Sequence, residues 1–387
     1  MSGEEAAARE FARLRDELAA GRGIPDALAH SPDASRQWVS DELTRTARDA
    51  AARERADDDA RLARLAARAA WTAAALLALL ALAQPVAALL GDGWSTGRTA
   101  ALVALLPPGA AVAYAALGRR QRARGGVLAP LIGDDNRLST SRAVAAAWLL
   151  VACHSLLALA LTGGAAGFAD GAGLLTAAAV ALAVTVWVRH TVATRVRGFR
   201  MQKIRADRPR AADLLTDDGG RGSFTGTQYA AVAATGVVWT AAALARNPGH
   251  IPSPPWPLVL LGAASALAYA AARYTEGGRP VIQSIVRVRE PGDLHAPIRH
   301  GDELEIRGSG FVPAGAAAPD RLAETVVRIG GVEVPVPLVP VTGGFSNPGD
   351  TRLRVPVPVE LDAGPVEVRV ITAAGTESGR YVITVAD

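Results

Sequence analysis

"AWTAAALLALLALAQPVAALL", Ala70 to Leu90, runs for twenty-one residues without a charge. A helix needs about 20 mostly apolar residues to cross the hydrocarbon core of a bilayer. The stretch therefore predicts a transmembrane span, and five others resemble it: Thr99–Leu117, Ala143–Thr162, Gly173–Val188, Tyr229–Ala245 and Trp256–Ala272. Pro107 and Pro108 fall inside the second, where they must interrupt the helical hydrogen-bond ladder and kink the span. Trp71, Trp94, Trp187 and Trp256 lie at or near span ends, as an interfacial aromatic belt places them.

The surrounding composition fits this reading. The chain has 387 residues, half of them apolar, and a mean hydropathy of +0.19. Alanine is abundant and Lys203 is the only lysine, a bias expected of a GC-rich, bacterial genome. Cys153 is the only cysteine, so no intramolecular disulfide can form and no oxidising compartment is required. The first residues, "MSGEEAAAREFARLRDELAA", are charged and helical, unlike a cleavable signal peptide.

Orientation follows from the positive residues in the short loops. The loops Gly118–Arg142 and Arg189–Gln228 carry fifteen Arg and Lys side chains, among them Arg119, Arg120, Arg122 and Arg124. The alternate loops Gly91–Arg98, Gly163–Ala172 and Arg246–Pro255 carry only Arg98 and Arg246. The basic side is expected to be cytoplasmic. Six spans then place both termini in the cytoplasm of a bacterial inner-membrane protein.

Residues 1–69 hold fourteen acidic and twelve basic residues, and they predict a cytoplasmic charged helical stalk interrupted at "GRGIPDALAHSP". Ser31, Pro32 and Asp33 have the form of an N-cap, an N1 proline and a first-turn acid, so a helix is expected to run from there into the first span. Residues 70–273 form the six-helix domain. Beyond Arg273 the composition turns to Val, Pro, Gly and alternating charge, with short period-2 segments such as "ELEIRG", "TVVRIG" and "PVEVRVI". "RIGGVEV" reads as a tight hairpin around Gly330 and Gly331. The fold class expected is an α-helical membrane protein with a C-terminal all-β, immunoglobulin-like sandwich over residues 280–387.

The order of segments in this last region resembles the IPT/TIG family of immunoglobulin-fold domains: Pro280-Val281-Ile282, Gly301-Asp302, "IRGSGF" (306–311), "VRIGG" (327–331), "VPVP" (355–358) and "AGPVEVRVITAAG" (363–375). The insertion "VPAGAAAPDRLAE" after Phe311 departs from the pattern. The resemblance implies a binding or spacer module rather than a catalytic one.

Two polar stretches precede the third and fifth spans. "DDNRLSTSR" (134–142) is echoed by "TDDGGRGSFTGTQ" (216–228). Asp134 and Asp135 align with Asp217 and Asp218, and Arg137 and Ser139 align with Arg221 and Ser223, once one extra glycine is allowed. Each span that follows carries a tryptophan, Trp148 or Trp239. The echo predicts an internal repeat of two helical hairpins. These loops also resemble those of bacterial multi-pass membrane proteins with Asp-Asn/Gly-Arg-x-Ser-x-Ser-Lys/Arg before one helix and Leu-x-Thr-Asp-Asp-x-Gly-Arg before a later one. The matching residues here are Asp135, Asn136, Arg137, Ser139, Ser141 and Arg142, then Thr216, Asp217, Asp218, Gly220 and Arg221. That resemblance brings no activity with it.

Three readings of the loops stay open: helix capping by Ser139, Thr140 or Ser141, an anion site at a helix N-terminus, or a contact surface for a protein. The candidate contact residues are Asp134, Asp135, Asn136, Arg137, Ser139, Ser141, Arg142, Asp217, Asp218 and Arg221. Leu138 occupies a position that a calcium loop needs for a ligand.

Catalytic signatures are missing from the sequence: no phosphate-binding Gly-Lys-Ser/Thr loop, no HExxH, no GxSxG and no paired-cysteine metal site. His295 and His300 lack a third ligand, and "RGSGF" suits a sandwich turn better than a nucleotide loop. No span as drawn holds a charged residue; Gln84 and His154 are its polar candidates. The arginine-rich loops are expected to meet anionic lipid headgroups and not nucleic acid, for want of interleaved aromatics. No cofactor is implied. Small residues crowd every span and favour close helix packing, which leaves homo-oligomerisation open. These features point to a non-enzymatic membrane anchor or scaffold for a cytoplasmic partner, for example a contractile phage-tail-like apparatus. The other class compatible with them is a small transporter or channel regulated by its β domain.

Overall fold

The computed structural model describes residues 3–28, 30–91, 93–117, 125–163, 171–218, 220–248, 250–275, 277–288 and 297–386. Arg119, Arg120, Arg122, Arg124 and His295 lie outside the described residues. The chain divides into two compact units. One gathers Met1–Asp57, Ala193–Ile204 and Glu276–Asp387; the other holds Asp58–Val192 and Arg205–Thr275.

The second unit is helical. It contains the apolar part of α2 (Pro32–Leu90), then α3 (Thr96–Val103), α4 (Leu106–Leu117), α5 (Thr140–Leu161), α6 (Ala172–Arg197), α7 (Phe224–Arg246) and α8 (Trp256–Thr275). Together they give six helical segments long and apolar enough to cross a membrane, as a multi-pass protein requires. The span expected from Ala70 is the last part of one continuous 59-residue helix. The expected kink sits one turn earlier than the prolines themselves. The ladder stops at Ala104, and α4 restarts at Leu106 with Pro107 and Pro108 in its first turn, where their missing N–H groups cost nothing.

The core of this unit lies among α5 to α8. Trp148, Val151 and Leu159 of α5 meet Leu174, Ala181 and Val184 of α6, Tyr229 and Ala233 of α7, and Ala266 and Tyr269 of α8. Small residues permit the close approach. A Cβ on Gly236 would lie 2.7 Å from Trp148 Cζ2, so the indole rests on the bare backbone of α7. The first span is far less enclosed, 6% of its apolar window being buried against 44% for the third.

The strand-rich unit holds β1 (Val281–Arg287), β2 (Ile298–Arg299), β3 (Glu303–Ser309), β4 (Val326–Ile329), β5 (Val332–Pro335), β6 (Val339–Val341), β7 (Gly344–Asn347), β8 (Arg352–Pro356), β9 (Gly364–Ile371) and β10 (Tyr381–Ala386), with a one-turn helix α9 (Pro319–Leu322). Three of them form a sheet in the order β1-β3-β8, and five another in the order β2-β10-β9-β4-β5; β6 and β7 pair separately. Alternate residues of both larger sheets enter one core: Leu304 and Ile306 of β3, Leu353 and Val355 of β8, Val327 and Ile329 of β4, Val368 and Val370 of β9. The hairpin expected at Gly330 and Gly331 joins β4 to β5, with Ile329 opposite Val332 and Gly330 at φ 61°.

"RGSGF" is not a turn throughout: Arg307, Gly308 and Ser309 end β3, and the chain turns at Gly310. Gly308 faces the bulge of β1, where a Cβ would lie 1.9 Å from the Val281 carbonyl oxygen. Gly310 takes φ 75°, and Phe311 is fully buried beyond it.

The expected stalk has one dry face. Leu18 of α1 (Gly3–Ala19) and Val39 and Leu43 of α2 are buried with Leu322 and Leu338 of the strand-rich region, and Phe11, Trp38 and Phe345 pack around them. The Leu338 N–H donates to Ser40 Oγ at 2.9 Å, and the Gly343 N–H donates to Asp16 Oδ1 at 3.3 Å. Helix α2 begins at Pro32, with the Ala34 N–H 3.5 Å from Ser31 Oγ.

Candidate functional site

The two polar loops share their backbone hydrogen bonds, position for position, among the described residues. In the first, the Gly133 N–H donates to the Arg137 carbonyl (2.7 Å), Asn136 N–H to Gly133 (3.1 Å) and Ser139 N–H to Leu131 (2.9 Å). In the second, the Asp217 N–H donates to Arg221 (2.8 Å), Gly220 N–H to Asp217 (3.1 Å) and Ser223 N–H to Leu215 (2.8 Å). Isolated bridges join Ile132 to Leu138 and Thr216 to Gly222. Every partner is displaced by 84 positions, and α5/α7 and α6/α8 begin 84 positions apart as well.

This register corrects the alignment expected from the letters. No glycine is inserted: Asp134 corresponds to Asp218, Gly133 to Asp217, and Asn136 (φ 57°) to Gly220 (φ 76°). Asn and Gly are the residues that accept a left-handed turn most readily, so the shared backbone explains the different letters. Trp148 and Trp239 are not equivalent; Trp148 is buried at 7% exposure, and Trp239 is 39% exposed.

Each loop ends in a cap. Ser139 Oγ accepts from the Arg142 N–H at 3.5 Å and Ser223 Oγ from the Gly226 N–H at 3.1 Å, satisfying donors at the starts of α5 and α7. Ser141 is buried, its hydroxyl 3.1 Å from that of Ser139. Asp135 Oδ1 accepts from the Arg137 N–H (3.3 Å), and Asp217 Oδ1 from the Arg221 N–H (2.8 Å).

The loops also hold each other. Arg137 Nη1 donates to the Asp217 carbonyl (3.4 Å), Thr140 Oγ1 to the Leu214 carbonyl (2.8 Å), and the Leu138 N–H to Asp213 Oδ2 (3.2 Å). Asn136 Nδ2 donates to the Ala206 and Asp207 carbonyls at 2.9 and 3.1 Å. The ten candidate contact residues thus belong to one double loop, in which Asp135 and Asp217 accept from backbone while Asp134 and Asp218 face arginine side chains.

Three residues missed at the sequence level, Asp213, Arg189 and Arg273, complete it. Asp213 bridges the loops. Arg142 and Arg189 approach Asp134 at 3.6 and 3.9 Å, and Arg273 approaches Asp218 at 3.3 Å. Arg189 and Arg273 are themselves 84 apart, so the loop-to-helix ion pair is duplicated along with the fold. That spacing was the available signal.

Inside the helical unit, Arg98 departs from expectation. The second span was drawn from Thr99, but Ser95 caps α3 at Thr96, which brings Arg98 into the helix at 7% exposure. It donates to the carbonyls of Gly93 (3.2 Å), Ala245 (3.2 Å) and Gln84 (3.5 Å). His154 is buried at 9% exposure, and among the described residues its Nδ1 has no hydrogen-bond partner. Among the described residues no group of three or more His, Cys, Asp or Glu side chains could hold a metal ion.

No family model and no curated protein matches the chain. Among solved structures it is similar to Gamma-CGTase from alkalophilic Bacillus clarkii, at 22% identity over 28% of this chain and 12% of that one, with a TM-score of 0.18. A likeness of that size carries no argument about fold or function.

Proposed function

We propose that this protein is a non-enzymatic anchor in the bacterial inner membrane that holds a cytoplasmic protein assembly through its strand-rich unit. The observation behind this reading is how that unit is assembled. Three separated segments, Met1–Asp57, Ala193–Ile204 and Glu276–Asp387, make it up, and they lead into α2, α6 and α8. A load on the unit is therefore shared by several spans rather than passed through one tether. Gln202 Nε2 donates to the Gly310 carbonyl at 2.8 Å, and Met201 is fully buried, so the middle segment is packed in.

The strand order β1-β3-β8 opposite β2-β10-β9-β4-β5 supports reading residues 280–387 as an immunoglobulin-like module of the IPT/TIG kind. The partner is a protein assembly, of which a contractile phage-tail-like apparatus is one example, and the arginine-rich loops add contact with anionic headgroups. Both termini are cytoplasmic in this reading. Reporters fused after Asp387 and within Gly163–Ala172 then respond from opposite sides; responses from the same side overturn the topology. In-cell crosslinking and mass spectrometry of the full chain, beside a truncation at Arg279, tests the anchor. A partner captured by the first and lost in the second is expected, and recovery of only the chain itself argues against an anchor.

A second reading, a small transporter or channel, draws on the break between α3 and α4 and on Arg98, buried in the first turn of α3. A solute flux in reconstituted vesicles that is lost when Pro107 and Pro108 are replaced would select it.

A further inference from the structure

The outer face of the three-stranded sheet carries an unbalanced charge. Its register sets Val286 of β1, Glu305 of β3 and Arg354 of β8 side by side, and puts Arg307 directly opposite Arg352. These residues alternate with Leu304, Ile306, Leu353 and Val355, which enter the core, so they stand on the side away from it. Three arginines therefore share one carboxylate. Glu305 meets Arg307 Nε at 2.7 Å with one oxygen and Arg354 Nη2 at 3.4 Å with the other. Its side chain is 8% exposed, while those of Arg307 and Arg354 are 52% and 51% exposed. Arg352 is exposed as well, and among the described residues it forms no hydrogen bond or ion pair. Acids beside the patch are engaged elsewhere: Glu303 faces Arg36 at 3.5 Å, and Asp350 Oδ1 accepts from the Val312 N–H at 3.2 Å.

Like charges directly opposite one another weaken a sheet, so folding alone does not favour the Arg307–Arg352 pair. An incoming carboxylate relieves it. Arg352 and Arg354 are two residues apart on one strand, about 7 Å at 3.4 Å per residue, and each guanidinium has donors to spare for a carboxylate. The apolar residues on the same face narrow the class of partner. Val281, opposite Ser309, and Val286 are 50% and 37% exposed. A surface of phosphates would satisfy the arginines and leave both valines in water. A protein surface covers them, and arginine beside apolar side chains is the composition that protein interfaces favour.

We propose that the outer face of β1-β3-β8 is where the strand-rich unit holds its partner, and that the partner offers an acidic protein segment to Arg352 and Arg354. This rests on the anchor reading above. The test places a photo-crosslinking amino acid in the full-length protein at Ser309, on this face, or at Thr384, on the outer face of the five-stranded sheet. Cells are illuminated and the crosslinked peptides sequenced. Ser309 is expected to capture one protein through a segment holding at least a pair of Asp or Glu side chains. Arg352→Glu should lower that capture about tenfold, and replacing the partner's acids by arginine should restore it. Arg352→Ala, which adds no new charge, should lower it about threefold even if the reversed charge disturbs the sheet. Crosslinks to phospholipid or nucleic acid, to a segment without acids, or at a yield unchanged in both Arg352 variants overturn the proposal. Capture at Thr384 alone overturns this face and leaves the anchor standing, whereas capture at neither position overturns the anchor reading too.

Discussion

Asp218 Oδ1 lies 3.3 Å from Arg273 Nη1, and the same pair one repeat earlier, Asp134 and Arg189, stands at 3.9 Å. In both, an acid in the loop before one helix meets an arginine near the end of the next, which closes the hairpin at its open end. The two copies differ in exposure. The Asp218 and Arg273 side chains are 20% and 13% exposed, those of Asp134 and Arg189 77% and 68%. Arg273 also lies over the Tyr269 ring at 5.5 Å, and Tyr269 stacks on Tyr229 at 5.2 Å, so the second clamp continues into the helical core.

Burial decides what each clamp contributes. An exposed pair is worth about 0–1 kcal/mol, whereas removing one partner of an enclosed pair strands the other charge and costs about 3–5 kcal/mol at full burial. Asp218→Asn is therefore expected to lower the thermal midpoint of the purified full-length protein clearly. Asp134→Asn should move it little, and equal losses would show that enclosure does not set the difference.

The Trp148–Gly236 contact is predicted to be intolerant of volume. Gly236→Ala puts a methyl 2.7 Å from the indole and should cost about 1–3 kcal/mol. Trp148→Phe in the same chain should recover part of that loss. A double-mutant cycle in detergent unfolding measures the coupling, and additive losses would mean that the helices separate without regard to this contact.

Ser139 and Ser223 should respond alike. Each caps a span with the same geometry, so Ser→Ala at either site is expected to cost about 1 kcal/mol and Ser→Gly only a few tenths. Hydrogen exchange in the first turns of α5 and α7 is the readout. Unchanged protection in both alanine variants would leave the caps without a stabilising role.

Glu305 carries a pH dependence. Its side chain is 8% exposed on β3, with Arg307 Nε at 2.7 Å and Arg354 Nη2 at 3.4 Å. The hydrogen bond from Arg307 holds the carboxyl below its ordinary range, against the opposing effect of burial. With the folded value depressed, the stabilisation is complete above the unfolded value of roughly 4.3 and fades as pH falls through the folded one. Glu305→Gln should speed exchange at the Leu304, Ile306 and Leu353 amides at neutral pH. The gap from the parent should close below about pH 4; a gap that persists there would place the effect in packing rather than charge.

The N-terminal helices supply a fifth test. Leu43 is fully buried with Leu18, Leu322 and Leu338. Leu43→Ala should cost about 2–5 kcal/mol and open the segment around Ile24 to limited proteolysis, while the helical unit stays resistant.

The sequence by itself determined the number and place of the spans, because roughly 20 uncharged apolar residues in a row have few alternatives. It also determined the period-2 strands and the hairpin at Gly330, where local chemistry suffices. The Ser31-Pro32 helix start and the repeat were legible for the same reason. Tertiary structure alone decided the register of that repeat, since Asn136 and Gly220 share a left-handed backbone conformation and not a letter. It decided the fate of Arg98, whose buried position depends on a cap at Ser95 and on carbonyls from two other segments. The dry face of the N-terminal helices was hidden because charge dominates their composition, while Leu18, Val39 and Leu43 find their partners about three hundred residues away.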